Sequence, residues 1–394
     1  MFSDRVPTEL ATNRLTAAVA AARAQGRPVI DLTVSNPTRA GFEYPPDLLA
    51  PLADPEALRY DPRPLGRIDA REAVARDYER QGVRVDADRV VLTASTSEAY
   101  SLLFKLLAGA GDEVLVPRPS YPLFEHLTRL DLVSAMPYDL EYHGAWSIDL
   151  TSVERAITSR TRALLVVSPN NPTGSFVTQE ELERVAALCA ARDIAIIADE
   201  VFADYELEAG ALAAAGRAAL RPDVLTFSLG GLSKSAGLPQ VKLGWIVVSG
   251  ADALAAAAIE RLELLCDTYL SVSTPVQMAA PSLLDAGVRI RAQIAARTLA
   301  NYRYLQSAAA TVRSCRLLRS DAGWSAVLQV PSLQSEEDLV LHLLEHEGVL
   351  AQPGYFYDFP RESFLVVSLI TPPAVLADGI GRVLRHFDCS VVNP

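Results

Sequence analysis

The sequence predicts an α/β protein, with a large domain built on a mainly parallel sheet covered by helices and a smaller α+β domain. Three observations carry that expectation. Short continuous apolar runs at 90–93, 113–116, 163–167, 194–198, 224–227 and 244–248 have the texture of strands buried on both faces. Most alternate with helical segments, the pattern of a sheet wound with helices on either side. Beyond residue 251 the texture changes to mostly helical stretches, followed by a strand, a helix and a strand.

Taken in order, residues 10–25 are alanine-rich and apolar-periodic, and Gly26, Arg27 and Pro28 end that helix. A short strand at 29–33 leads into an irregular loop at 35–41, and a second loop covers 60–66. The helix at 68–81 carries Asp69 and Glu72 in its first turn, where the helix dipole favours acids. The strand at 90–93 runs through a polar turn, 94–98, into a helix at 99–108. Strand, small polar turn and helix can hold a phosphate at the helix N-terminus; plain N-capping by Ser95 or Ser97 is the other reading of the same residues. The pattern repeats with helices at 121–130 and 179–191. An Ala/Gly-rich patch at 208–220 reads as a surface loop or weak helix. A long helical region at 279–310 precedes a strand at 326–330, a helix at 336–347 and a strand at 364–369. The expected division is a large domain at 45–275 and a small one formed by both termini, 1–44 and 276–394, because a compact chain tends to bring its ends together.

The chain has 394 residues and a net charge of -12, which argues against nucleic acid as a partner. Four cysteines without paired spacing fit free thiols in a reducing compartment. The first residues lack the apolar run of a signal peptide, and no apolar stretch is long enough to span a membrane. The expectation is a cytoplasmic protein that uses no membrane.

Ligands of wound sheets bind beyond the carboxyl ends of the strands. Ser95, Asn171, Asp199 and Lys234 all lie at or beyond such ends. Lys234 is in a loop of small residues between two apolar runs. Alone it is either a solvated loop lysine or a lysine that forms a Schiff base with a carbonyl cofactor.

Asn171-Pro172-Thr173-Gly174, Asp199-Glu200-Val201 and Ser233-Lys234 occur in the order and spacing of the aspartate aminotransferase-like enzymes, which the chain resembles over nearly its whole length. Gly111-Asp112-Glu113-Val114, Pro119-Ser120-Tyr121-Pro122 and Gln352-Pro353-Gly354 extend the match. Any one motif is weak, since Asn-Pro-Thr-Gly also makes an ordinary turn; together they are specific. The resemblance implies a fold type I enzyme that uses pyridoxal 5′-phosphate and moves an amino group between an amino acid and a 2-oxo acid. It implies that Lys234 holds the cofactor and moves the proton, and that Asp199 faces the pyridine nitrogen. Asn171 would bond the ring hydroxyl and contact substrate, while Tyr121 would stack on the ring. It implies phosphate contacts from Ser95, Thr96, Ser97, Ser233 and Lys242, and from Tyr60 of a neighbouring subunit, hence a homodimer.

Three departures stand out. Phe202 occupies the place of a tyrosine that bonds the ring oxygen. Lys242 stands where the family has arginine, and Gly231 where it often has serine. Val366 replaces the arginine that clamps the substrate carboxylate. Arg361 and Arg39 are the candidate substitutes, each with solvated surface arginine as its other reading. The missing arginine also keeps open another reaction on the same scaffold, such as β-elimination, decarboxylation or an oxidase-like step, or a cofactor-binding regulator. No Gly-x-Gly-x-x-Gly turn follows a strand, which disfavours a nicotinamide enzyme. His342-Leu343-Leu344-Glu345-His346 matches a zinc-peptidase pattern, but it lies in a helix with no accompanying ligands, and no metal is expected.

Overall fold

The structure is a computed structural model that describes residues 2, 3, 5–7 and 12–392. In chain order the helices are α1 (Arg14–Ala24), α2 (Ile68–Arg80), α3 (Thr96–Leu107), α4 (Leu123–Leu130), α5 (Leu150–Ala156), α6 (Gln179–Ala190), α7 (Ala211–Ala214), α8 (Leu232–Ser235), α9 (Asp252–Tyr269), α10 (Thr274–Ala309), α11 (Glu336–His342) and α12 (Pro373–Val392). The strands are β1 (Ile30–Asp31), β2 (Val90–Thr93), β3 (Glu113–Arg118), β4 (Ser134–Tyr142), β5 (Trp146–Ile148), β6 (Thr161–Val167), β7 (Ala195–Asp199), β8 (Thr226–Gly231), β9 (Gly244–Ser249), β10 (Arg316–Leu317), β11 (Ser325–Gln329), β12 (Val349–Leu350), β13 (Gln352–Pro353) and β14 (Phe364–Ser368).

An eight-stranded sheet has the order β2-β9-β8-β7-β6-β3-β4-β5. Strands β8, β7, β6, β3 and β4 are parallel neighbours. β9 runs antiparallel to both β8 and β2. β2 therefore points the same way as β8, and the carboxyl ends of β2, β3, β6, β7 and β8 share one edge. Every residue of β2 and β8 is buried, each fully buried Val, Leu or Ile contributing about 1.5–3 kcal/mol.

A four-stranded antiparallel sheet, β10-β11-β14-β13, forms the second layer system. β1 pairs with β12, tying the N-terminal segment to the C-terminal region. α10 is 36 residues long and contributes to both cores: Leu283 and Ile290 pack with Trp245, and Tyr302 and Leu305 pack with Leu365.

Several sequence expectations need correction. The polar turn 94–98 is shorter than expected, because α3 begins at Thr96 with Ser95 as its cap; Ser95 Oγ accepts from the Glu98 N–H at 3.2 Å. Tyr121 precedes α4 instead of opening it. The helix expected over 336–347 is α11 followed by a π-helical stretch, Leu343–Glu347. The large sheet is mainly parallel as expected, with β9 and β5 antiparallel to their neighbours. β4 and β5 were not anticipated: much of β4 is exposed or half-buried, so it lacks a continuous apolar run. The expected start of the first helix at residue 10 lies outside the described residues.

Candidate active site

Five strand ends on one edge of the large sheet bring the sequence-selected residues together. β2 ends before Ser95, β3 before Tyr121, β6 before Asn171, β7 on Asp199 and β8 before Lys234. The chain enters α3 through a tight junction: Thr93 Oγ1 donates to the Ser95 carbonyl at 3.0 Å. Thr96 and Ser97 occupy the first turn of this 12-residue helix, whose leading N–H groups form an anion-binding end. The lysine strand lies close against this turn. A Cβ on Gly231 would come within 3.2 Å of Gly244 Cα and 3.9 Å of Thr96 Cγ2, so the absence of a side chain there permits the approach. Ser233 is half-buried in α8, whereas Lys242 is exposed with a left-handed backbone, φ 59°.

Asp199 is anchored by two donors: the Tyr100 hydroxyl at 2.9 Å and the Val201 N–H at 3.2 Å. Burial pushes its carboxyl above the ordinary aspartate range, against the Val201 amide, Tyr100 and the Lys234 charge, which favour the anion. Tyr100 is itself raised well above the usual tyrosine value by burial and by Asp199, so it stays a neutral donor. Burial lowers the Lys234 pKa and Asp199 partly restores it. The Lys234 ammonium lies 5.8 Å from the centre of the Phe202 ring and 5.5 Å from that of Trp324. The backbone of the lysine turn is held from behind. The Tyr205 hydroxyl donates to the Lys234 carbonyl at 2.5 Å and to Ser235 at 3.1 Å, and Arg291 Nε donates to the Ser235 carbonyl at 2.8 Å.

Asn171 follows a buried polar knot. Ser120 Oγ donates to Asn170 Oδ1 at 3.0 Å, and Asn170 Nδ2 donates to the Pro119 carbonyl and to Thr173 Oγ1. The Tyr121 and Asn171 loops are thereby joined. Asn171 Oδ1 also accepts from Ser325 Oγ of β11 at 3.3 Å, bringing the small sheet to the site. Tyr121 leaves 46% of its surface open.

Other candidates lie further out. Tyr60, 73% exposed, lines a cleft of about 230 Å³ with Arg63, Glu98, Tyr269 and Ser271. Arg39 ends the short 3₁₀ helix Pro37–Arg39 and Arg361 lies in the segment before β14, both exposed; the Arg361 guanidinium lies 5.7 Å from the centre of the Phe364 ring. His342 and His346 stack at 4.1 Å. Among the described residues no group of three or more His, Cys, Asp or Glu is arranged to hold a metal.

A model of the aminotransferase class I and II family matches residues 27–381. The chain belongs to this family. A glutamate-pyruvate aminotransferase of Haemophilus influenzae is 30% identical over 267 residues, which is 66% of this chain and 64% of that relative. The chain thus spans slightly under two thirds of the length of the first such relatives. An alanine aminotransferase of Mycobacterium bovis is 28% identical over 89% of this chain and 83% of its own length. Among solved structures, an alanine aminotransferase from Pyrococcus furiosus superposes with a TM-score of 0.88 at 23% identity, covering 98% of this chain and 99% of that one. That likeness shows the same fold.

Class I and II aminotransferases use pyridoxal 5′-phosphate, and the residues here fit it. The site offers a lysine of lowered pKa, a carboxylate held by two donors, a half-open aromatic face and a helix N-terminus beside a glycine-lined strand. Tyr100, Tyr205, Arg291 and Trp324 were missed in the sequence. Tyr100 had one available signal, its place in the helix that follows the polar turn after β2. Nothing local marks Arg291 or Trp324, which reach the lysine from distant parts of the chain.

Proposed function

We propose that this chain catalyses transfer of an amino group from an amino acid to a 2-oxo acid. The observation that carries this reading is the convergence of Lys234, Asp199, Asn171, Tyr121 and the α3 N-terminus at one sheet edge. Its relatives' names support the same reaction class and give no support to elimination, decarboxylation or a regulator.

When bound, the cofactor supplies an electron sink for the substrate's amino-bearing carbon. Asp199 would keep the proton on the pyridine nitrogen, with Tyr100 fixing the carboxylate's orientation. Lys234 would attach the cofactor and carry the proton between carbons, a role that suits an amine whose pKa is lowered by burial. Asn171 would bond the ring hydroxyl and contact substrate, and Tyr121 would cover the ring face. Ser95, Thr96, Ser97, Ser233 and Lys242 would hold the phosphate. The decisive experiment is an absorbance scan of the loaded enzyme against a panel of amino acids, with assay of the 2-oxo product. A panel in which no donor changes the cofactor band would overturn the proposal.

Phe202 has no hydroxyl to give the ring oxygen, and a donor there favours the charged oxygen. Phe202→Tyr is therefore expected to lower the pH midpoint of the cofactor's visible band. An unchanged or higher midpoint would contradict its place in the site.

For the substrate carboxylate, Arg361 is the preferred cation and Arg39 the second. Arg361 stacks on Phe364, two residues before Val366 and on the same side of β14. Arg361 is exposed, so Arg361→Ala should raise KM for the amino donor only modestly, on the scale of about 1 kcal/mol for a solvent-flanked pair, and leave the resting spectrum intact. Normal kinetics in Arg361→Ala with loss in Arg39→Ala would move the contact to the N-terminal loop.

The working unit is proposed to be a homodimer in the cytoplasm, with Tyr60 reaching its partner's phosphate. Exposed Tyr60 and Tyr269, which line one cleft, support an interface there. No described helix is long and apolar enough to cross a membrane. The proposed division is 45–275 for the cofactor domain, and 1–44 with 276–394 for the small domain; the β1–β12 pairing supports it.

A further inference from the structure

The four-stranded sheet has two sides. Ala326, Leu328, Leu365 and Val367 enter one core, whereas Val327, Phe364 and Val366 pack with residues of the large sheet such as Leu115 and Tyr138. Directly paired residues of neighbouring strands stand on the same side. Val366 is paired with Val327 on one flank and with Gln352 on the other. Gln352 therefore stands beside Val366 on the site side, as does Ser325, which reaches Asn171.

The Tyr357 hydroxyl donates to Gln352 Oε1. The Tyr357 carbonyl in turn accepts the N–H of Ser120, next to Tyr121, at 3.0 Å. Gln352 and Tyr357 thus link the Val366 position to the Tyr121 loop. The segment is braced by Glu336, whose carboxylate accepts the N–H groups of Tyr355, Ser363 and Phe364 at 2.7, 2.8 and 2.7 Å. A glutamine amide has one carbonyl oxygen and two N–H donors. With Oε1 engaged by Tyr357, the Nε2 end has no protein acceptor among the described residues.

We propose that Gln352 is a specificity-determining residue: its Nε2 donor, turned by Tyr357, takes the carboxylate of the amino donor where Val366 offers no cation. The role rests on the transamination reading above. Arg361, over Phe364 on the same side, adds charge from the solvent flank, while Gln352 supplies the directed hydrogen bond. The recognised class is a small carboxylate held by a neutral amide, not by a guanidinium fork.

The test uses the loaded enzyme and an isosteric change. Gln352→Glu keeps an oxygen to accept the Tyr357 hydroxyl but replaces the N–H donors with a second, negative oxygen. The probes are kcat and KM for alanine, and spectral titration with propionate, which has the carboxylate but no amino group to react. Gln352→Glu is expected to raise both KM and the propionate Kd by roughly 100-fold, with kcat changed much less. Gln352→Leu should raise them about 10-fold, as expected for losing one hydrogen bond to a charged group. Melting temperature and resting spectrum of Gln352→Glu should match the wild type. Wild-type KM and propionate affinity in Gln352→Glu would overturn the assignment, as would losses that track a lowered melting temperature. If the wild type transaminates no donor, the reaction reading fails, and the propionate titration still decides Gln352.

Discussion

Lys234→Ala is expected to fold and to lose turnover by roughly 10⁴-fold or more, the upper range for removing a positioned proton carrier. The same lysine is expected to be the point of cofactor attachment. Borohydride reduction and peptide mapping would read this with little ambiguity, because the chain has only three lysines, Lys105, Lys234 and Lys242. Lys105 is engaged on Asp131 and Ser101, and Lys242 is exposed. Burial lowers the Lys234 pKa, and the Asp199 carboxylate acts on it from nearby. The fold should tolerate the change, since the turn is held through backbone carbonyls by Tyr205 and Arg291, and neither bond needs the lysine side chain. An adduct on Lys242 or Lys105, or near-normal turnover in Lys234→Ala, would end the assignment.

Asp199→Asn is expected to lower turnover by roughly 10²-fold or more, on the scale of losing one preorganised electrostatic group, while the cofactor-free protein keeps its stability. The sign follows from linkage. Burial raises the Asp199 pKa in the folded state above the ordinary aspartate value. Between that value and the raised one, the folded chain binds more protons than the unfolded chain, so this group's contribution to stability falls as pH rises through the window. Where the buried carboxyl is charged it is a net cost without the cofactor, and an uncharged amide removes that cost. Asn can still accept from the Tyr100 hydroxyl, but its amide nitrogen then meets the Val201 N–H that Asp199 Oδ1 accepts in the wild type, which offsets part of the gain. Urea melts of the cofactor-free variant and wild type should therefore show similar stability. Wild-type single-turnover rates in Asp199→Asn would refute its role. A large loss of stability would instead make Asp199 a structural anchor.

The strand-end residues were legible in the sequence because strands and their turns are local. A continuous apolar run such as Val90–Thr93 fixes a buried strand, and the residues that follow it must emerge at the strand's end. Lys234, Asp199, Asn171 and Ser95 could be selected by that reasoning without knowing the strand order. β4 escaped the same reasoning because its half-exposed side chains break the apolar run. The turn at 94–98 was read too long because serine and threonine both cap helices and occupy first turns.

By itself the sequence determined the chemistry at the sheet edge: a lysine, an aspartate and an asparagine at successive strand ends, and a helix start able to take an anion. Only the tertiary structure decided what holds and surrounds these groups. Tyr100 is 99 residues from Asp199, Arg291 is 56 from Ser235, and Ser325 is 154 from Asn171. Gln352 acquires its place beside Val366 only through strand pairing. Such partners are chosen by how sheets and helices pack, and packing joins residues whose separation along the chain leaves no periodicity or spacing to read.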